Sequence, residues 1–310
     1  MTQKKIKIIG DQINNAYGRA RKAWEARDTS GYQFLATMQA DKGASAIDLN
    51  IDGTAKLSVR MDEMLAFLPV VIPAIQEATD VPICFDNPSV DYHRVGLEAL
   101  DRSKCRDKPI LNSLAASRTH LHEMIEIVRD YDMRCIVMAS ERFLPEGGGA
   151  QCFNPDDSYQ TVLQFVEMLV TKANRTIDDI IIDPGLAPVG ADTYGLVNIG
   201  LDTMKLVTAD PTLAGIHFSV GLTNFAWGTP KGVRDLLEQA YLTIASEIGL
   251  DMALANIERE PQPLPADHEI VAQLRQALED GRAQDGESVE DAGFRQATLI
   301  MDICRPFTEE

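Results

Sequence analysis

Eight short apolar runs, each set off from the next by a helix-length stretch, constrain this chain more than any other feature. They fall at residues 5–9, 46–50, 81–85, 109–112, 134–138, 179–182, 215–220 and 252–255. Runs dominated by Val, Ile, Leu and Ala are what a strand buried on both faces requires, and such strands belong to parallel sheets covered by helices. Helix-like stretches lie between them at 30–42, 56–78, 90–100, 115–131, 156–173, 193–208 and 231–248. Strand and helix in alternation predict βαβ units, and eight strands predict an α/β chain closed into a (β/α)8 TIM barrel. Gly43 and Gly249 stand where two helices must stop, and Asp156 and Thr193 where two N-caps are expected. Neither a GxGxxG nor a GKS/T loop occurs, so a nucleotide-binding doubly wound sheet has little support.

One domain accounts for residues 1–257, up to the eighth strand, and 258–310 reads as a closing barrel helix plus an acidic helical extension. That extension opens with Pro261, Pro263 and Pro265 and carries 13 acidic against 5 basic residues, with helices expected at 268–279 and 287–303. Such a run reads first as a solvated face; the functional alternative is an oligomer contact or a docking surface. The net charge of −18 disfavours nucleic acid and anionic membrane as partners, since both would be repelled. The longest apolar stretch, 64–75, holds two prolines and is too short to span a bilayer. With no signal-peptide core before the first strand, the expected location is cytoplasmic. Five scattered cysteines predict reduced thiols, with Cys84 and Cys135 as buried hydrophobes. His120 and His122 would not share a helix face, so no metal site is expected. The stretch Glu146-Gly-Gly-Gly149 is expected to be a mobile loop on the rim.

Function is written in what ends the runs. Asp48-Leu49-Asn50, Phe85-Asp86-Asn87, Leu111-Asn112-Ser113, Ile182-Asp183-Pro184 and Gly221-Leu222-Thr223-Asn224 each place a carboxylate or amide just after an apolar run. In a barrel those strand ends share the active-site rim. No Ser/His/Asp constellation, no strand-end lysine for a Schiff base and no HExxH accompany them. Carboxylates accept paired N–H bonds and asparagine amides both donate and accept, so the set suits a flat heterocycle with amide and amino edges, such as a pterin. Taken singly, Asp183-Pro184 could cap a turn and Asn112-Ser113 could satisfy loop backbone. Five strand ends at once favour a site, while Asp11 and Asp48 remain evenly balanced.

The ordered set Ile9-Gly10-Asp11-Gln12-Ile13-Asn14, Asp48-Leu49-Asn50, Asp86-Asn87, Asn112-Ser113, Asp183-Pro184 and Gly221-Leu222-Thr223-Asn224 resembles the pterin-binding, dihydropteroate synthase-like barrel superfamily. Over residues 5–256 it is most similar to methyltetrahydrofolate:corrinoid protein methyltransferases. Dihydropteroate synthase carries a Ser-Arg-Lys element at the seventh strand end, where this chain has Thr223-Asn224-Phe225. The resemblance implies methyl transfer between cobalamin, a corrinoid carried by a partner protein, and N5 of tetrahydrofolate or 5-methyltetrahydrofolate. It implies that Asp86, Asn112 and Asp183 hold the pterin, that Asn224 is the catalytic residue beside N5, and that Asp11, Asp48 and Asn50 support the rim. It also implies a folate-contacting cation after the asparagine motif, for which Arg234 is the candidate and Lys231 the close competitor, and a homodimer. Phe225-Ala226-Trp227 departs from the polar continuation of the family motif. The alternatives kept open are a dihydropteroate synthase-like condensing enzyme and a folate-binding subunit without turnover.

Overall fold

A computed structural model describes residues 5–307. The chain runs β1 (Lys7–Asn14), α1 (Gly18–Ala26), α2 (Thr29–Asp41), β2 (Ala46–Asn50), α3 (Met61–Ala78), β3 (Ile83–Asp86), α4 (Val90–Ala99), β4 (Ile110–Leu114), α5 (Leu121–Asp130) and β5 (Arg134–Met138). It continues through β6 (Glu141–Phe143), β7 (Gly149–Gln151), α6 (Pro155–Ala173), β8 (Ile180–Asp183), α7 (Leu196–Ala209), β9 (His217–Phe218), α8 (Leu222–Phe225), α9 (Lys231–Ser246), β10 (Met252–Ala255), α10 (Glu269–Asp280) and α11 (Val289–Cys304). Eight parallel strands form one sheet in the order β10-β1-β2-β3-β4-β5-β8-β9, with β6 and β7 as a separate antiparallel pair. This is a (β/α)8 barrel with C-terminal helices.

The barrel closes unevenly. Four residue pairs join β1 to β10, whereas β9 meets β10 through a single bridge, Gly221 with Leu254, and the Leu254 N–H on the Val220 carbonyl at 2.9 Å. Lower in that seam the buried Asp251 carboxylate stands in for a ladder. It accepts from the Phe218 N–H at 3.1 Å, and His217 Nδ1 lies 2.6 Å from its other oxygen.

Two apolar clusters follow from the period-2 alternation of strand side chains. The larger fills the space between strands and helices. The smaller, Ile9, Ala46, Cys84, Ile110, Ile136, Ile181 and Met252, plugs the barrel interior with one inward residue from each of seven strands.

Several expectations need correction. The helix α1 was hidden because only Ala20, Ala23 and Trp24 are buried, and alanines mark an apolar stripe weakly. Asn154, not Asp156, caps α6, accepting from the Asp157 N–H, because Pro155 begins that helix. Ahead of α7 the capping carboxylate is Asp192, bonded to three backbone N–H groups, and Thr193 lies outside the helix. The expected strand over 215–220 forms a ladder only at His217–Phe218, since its last residues enter the seam.

The glycine segment at 146–149 is also different from expected. It belongs to the β6–β7 hairpin, closed by the Leu144 N–H on the Gly148 carbonyl at 3.0 Å, with Gly147 and Gly148 at positive φ. Gly149 is packed so tightly that a Cβ would stand 2.6 Å from the Ser117 N. The two C-terminal helices form where expected. α10 packs on α9, and α11 packs on α10 and reaches the β8–α7 connection, where a Cβ on Gly293 would meet the Thr193 carbonyl at 2.4 Å. No helix among the described residues is long and apolar enough to cross a membrane.

Candidate active site

Counting two residues on from the barrel plug gives the next inward layer: Asp11, Asp48, Asp86, Asn112, Met138, Asp183 and Leu254. Strand register therefore brings four carboxylates and an amide into one ring above an apolar floor. Asp86 pairs in register with Asn112 across β3 and β4, and Met138 with Asp183 across β5 and β8. Asn50, one further step up β2, donates its amide to Asp86 at 2.9 Å. Behind them Asn87 donates to Asp52 at 2.6 Å. The ring contains no Lys or Arg among its described members; Arg118, donating to the Ser113 carbonyl at 3.1 Å, stands just outside it.

Crowded acids in a dry place resist ionisation. Burial pushes Asp183 up to about 6, opposed by the Gly185 N–H that it accepts at 2.8 Å. Burial likewise raises Asp86, against the Asn50 amide and the Arg118 charge. Asp11 is raised by burial although it accepts from the Tyr17 hydroxyl at 2.7 Å and the Gln12 amide at 3.1 Å. Asp48 is the extreme member, 0% exposed, with neither oxygen meeting a well-formed hydrogen bond. Burial, then Asp86, then Asp11 hold it well above the usual carboxylate range. Burial thus opposes ionisation at all four carboxyls of the ring, and these groups together with the Asn112 amide can both donate to and accept from a polar heterocycle.

Asn224 sits apart from the ring, exposed on α8 over the end of β9. Its amide nitrogen would lie 2.9 Å from a Cβ at Gly221, so a larger residue there would make the Asn224 side chain turn aside. Arg234 and Lys231 are not equivalent. Lys231 opens α9 and is exposed, whereas the half-buried Arg234 clasps the Thr229 carbonyl with two N–H groups at 2.8 and 2.7 Å, securing the turn that carries Asn224. Trp227 in the same turn is 71% exposed.

The sequence reasoning missed Glu238 on α9. It is buried, pushed to about 7 chiefly by burial, and influenced by Arg259, Asp235 and Asp11. Its signal was available: a charged residue between Leu237 and Tyr241 on the buried stripe of an amphipathic helix. Also missed was a cavity of about 200 Å3 beside the ring, bordered by Met138, Ser140, Gln151, Leu186, Leu196 and Ile199. Its wall comes chiefly from the β8–α7 connection and α7, with Gln151 from the end of the β6–β7 hairpin, segments that carry no shared sequence periodicity.

The (β/α)8 barrel carries a carboxylate and amide ring at its C-terminal mouth, and comparison with known proteins places it among enzymes of the pterin-binding class. Residues 21–252 match the pterin binding enzyme family, to which this chain belongs. A methylcorrinoid:tetrahydrofolate methyltransferase of Eubacterium limosum is 24% identical over 252 residues, covering 80% of this chain and 83% of the relative. Among solved structures, dihydropteroate synthase of Clostridium difficile with pteroic acid superposes with a TM-score of 0.61 at 17% identity, over 84% of this chain and 95% of the other. The Coxiella burnetii dihydropteroate synthase with pteroic acid gives a TM-score of 0.57 at 18% identity, over 84% and 92%. At these identities the two structures speak for the fold alone.

Proposed function

We propose that this chain is a methyltransferase that moves a methyl group between a corrinoid carried by a partner protein and N5 of tetrahydrofolate. The observation that carries this reading is an asparagine, instead of basic residues, on the turn that tops the acidic ring at the β9 end. A condensing enzyme acting on a pterin pyrophosphate needs cations for its leaving group. Here the nearest arginine of that turn is clasped to Thr229.

In this reading Asp86 and Asn112 take the aminopyrimidine edge of the pterin, Asp183 holds its flank, and Asp11, Asp48 and Asn50 back them. The carboxylates suit N–H donors, and the asparagine amides suit the ring's carbonyl and nitrogen acceptors. The corrinoid supplies a cobalt centre that exchanges the methyl group with N5. An amine anion is a poor leaving group, so N5 must carry a proton or a strong hydrogen bond as the methyl departs. Asn224 supplies or orients that bond, and its benefit grows as charge changes at N5. By microscopic reversibility the same group serves both directions. The open side of the rim, with Trp227 and Asn224 both exposed, leaves access for a macrocycle presented by another protein.

The test follows the corrinoid spectrum, with methylcobalamin plus tetrahydrofolate in one arm and cobalt(I) cobalamin plus 5-methyltetrahydrofolate in the other. Enzyme-dependent interconversion in either arm is expected, with no condensation of a pterin pyrophosphate with p-aminobenzoate. Condensation without methyl transfer would replace this reading, and folate binding without either reaction would reduce the chain to a binding subunit.

A further inference from the structure

We infer that the base of the barrel, the end opposite the carboxyl ring, holds a second site, which takes a small phosphate-bearing anion. A crater of about 320 Å3 opens there beneath the apolar plug, roofed by the plug residues Ile110 and Met252. Lys7, Arg106, Lys108 and Arg134 line it against a single acid, Asp107. Chain order explains the gathering: Lys7 opens β1, Arg134 opens β5, and Arg106 and Lys108 lie in the connection that enters β4. In a chain of net charge −18, a concavity with this balance reverses the prevailing sign. Low-dielectric walls around it focus the field on whatever anion enters.

Part of this charge is already matched. Lys108 Nζ lies 2.9 Å from Asp179 and 3.1 Å from Asp132. Asp107 turns its carboxylate to the Lys108 N–H at 2.7 Å. Arg106 donates to the Ala44 carbonyl at 2.7 Å, just past the end of α2, and reaches Asp80 only at 3.8 Å. A cation that answers carbonyls near a helix C-terminus needs no ligand to explain it.

Two groups are left over. Lys7 is exposed and makes no ion pair among the described residues. Arg134 donates a terminal N–H to the Asp178 carbonyl at 3.3 Å, while its Nε–H is buried without an acceptor. Folds seldom leave a buried donor of a charged group unmet, and a bound anion supplies the missing acceptor. Phosphate suits the set better than a carboxylate, since its additional oxygens can meet guanidinium groups and an ammonium from different elements at once. The crater has room beyond one phosphate group, and Pro82, Ile110 and Met252 give the remainder an apolar surface. The class of ligand is therefore a phosphate monoester with a short carbon chain. The site lies at the far end of the barrel from the pterin ring and does not depend on the methyl-transfer reading.

The experiment is a calorimetric titration of the whole chain at fixed ionic strength, with inorganic phosphate in one arm and glycerol 3-phosphate in the other. A single saturable site is expected, with the ester held more tightly. Equal affinities would assign the site to the free ion. Lys7→Gln removes an exposed, unpaired cation at little risk to the fold and should weaken binding roughly tenfold or more, as should Arg134→Gln. Arg60→Gln deletes the same charge ahead of α3, at the opposite end of the barrel, and should change affinity less than about twofold. Absence of binding in both arms at on the order of 10 mM ligand overturns the site. So does binding that Lys7→Gln leaves intact, or that Arg60→Gln weakens as much as Lys7→Gln does, because net charge alone would then account for it.

Discussion

Replacing Asp183 by Asn should make the protein more stable at neutral pH while weakening its hold on a pterin. The folded protein pushes Asp183 from 3.8 up to about 6 by burial. A carboxyl whose folded value is raised favours the protonated form in the native state. Its contribution to stability is therefore highest below about pH 4, declines as pH rises toward 6, and is flat beyond. A shift of about two units corresponds to about 3 kcal/mol, and partial solvent access to the half-buried side chain reduces this to about 1–2 kcal/mol. An asparagine can keep the Gly185 N–H contact through its carbonyl oxygen, so the variant loses the penalty and little else. Urea unfolding at pH 7.5 should show Asp183→Asn stabilised by about 1–2 kcal/mol, with roughly a third of that gain at pH 4.5. Pterin or folate affinity should fall about tenfold or more, as a charge-assisted bond worth about 1.5–3 kcal/mol is lost. A variant that is equally stable, or less stable, at pH 7.5 would refute the burial argument. Unchanged folate affinity would remove Asp183 from the site.

Asn224→Ala should slow methyl transfer about a hundred- to a thousandfold in single turnovers at saturating folate, with a smaller effect on binding; a wild-type rate would deny Asn224 its role. Asp251→Ala leaves the buried Phe218 N–H without its acceptor and should cost on the order of 2–3 kcal/mol in urea unfolding, whereas a neutral result would mean the seam does not depend on it. Deleting residues from Glu287 onward removes α11 and its contact with the β8–α7 connection. The truncated chain should show a changed oligomer mass by sedimentation or a raised KM for the corrinoid protein, with free cobalamin less affected; identity in both would leave α11 a packing element.

Much of the ring was legible because parallel strands impose one rule twice. The apolar runs marked both faces as buried, and Asp48, Asp86, Asn112 and Asp183 broke those runs at their ends. Asp11 and Asp48 looked ambiguous because the sequence does not reveal which strand face turns inward; the register does, through the plug residues Ile9 and Ala46 two places earlier. What could not be read depends on contacts distant in the chain. Arg234, expected to contact folate, also clasps the Thr229 carbonyl, a tie that the sequence does not reveal. The β6–β7 hairpin has three-residue strands, too short for any alternation to register. Glu238 became meaningful only once the fold brought it within the electrostatic reach of Asp11 on β1.

A barrel laddered all the way round behaves as a hoop, and spreading one part of its rim stretches every strand pair. This one is nearer to a split ring, since its β9–β10 join is a single bridge. The cost of parting the lips is the loss of a few hydrogen bonds, each worth about 0.5–1.5 kcal/mol net, while the seven laddered joins keep the plug and the carboxyl ring in place. Asn224 rides on one lip and Leu254, one of the two apolar members of the ring, on the other. The rim at the seam can therefore part without disturbing the carboxyls of the ring on the opposite side. Amide exchange at Gly221 and Leu254 that is faster than at Leu49, Phe85 and Leu111 would be its signature.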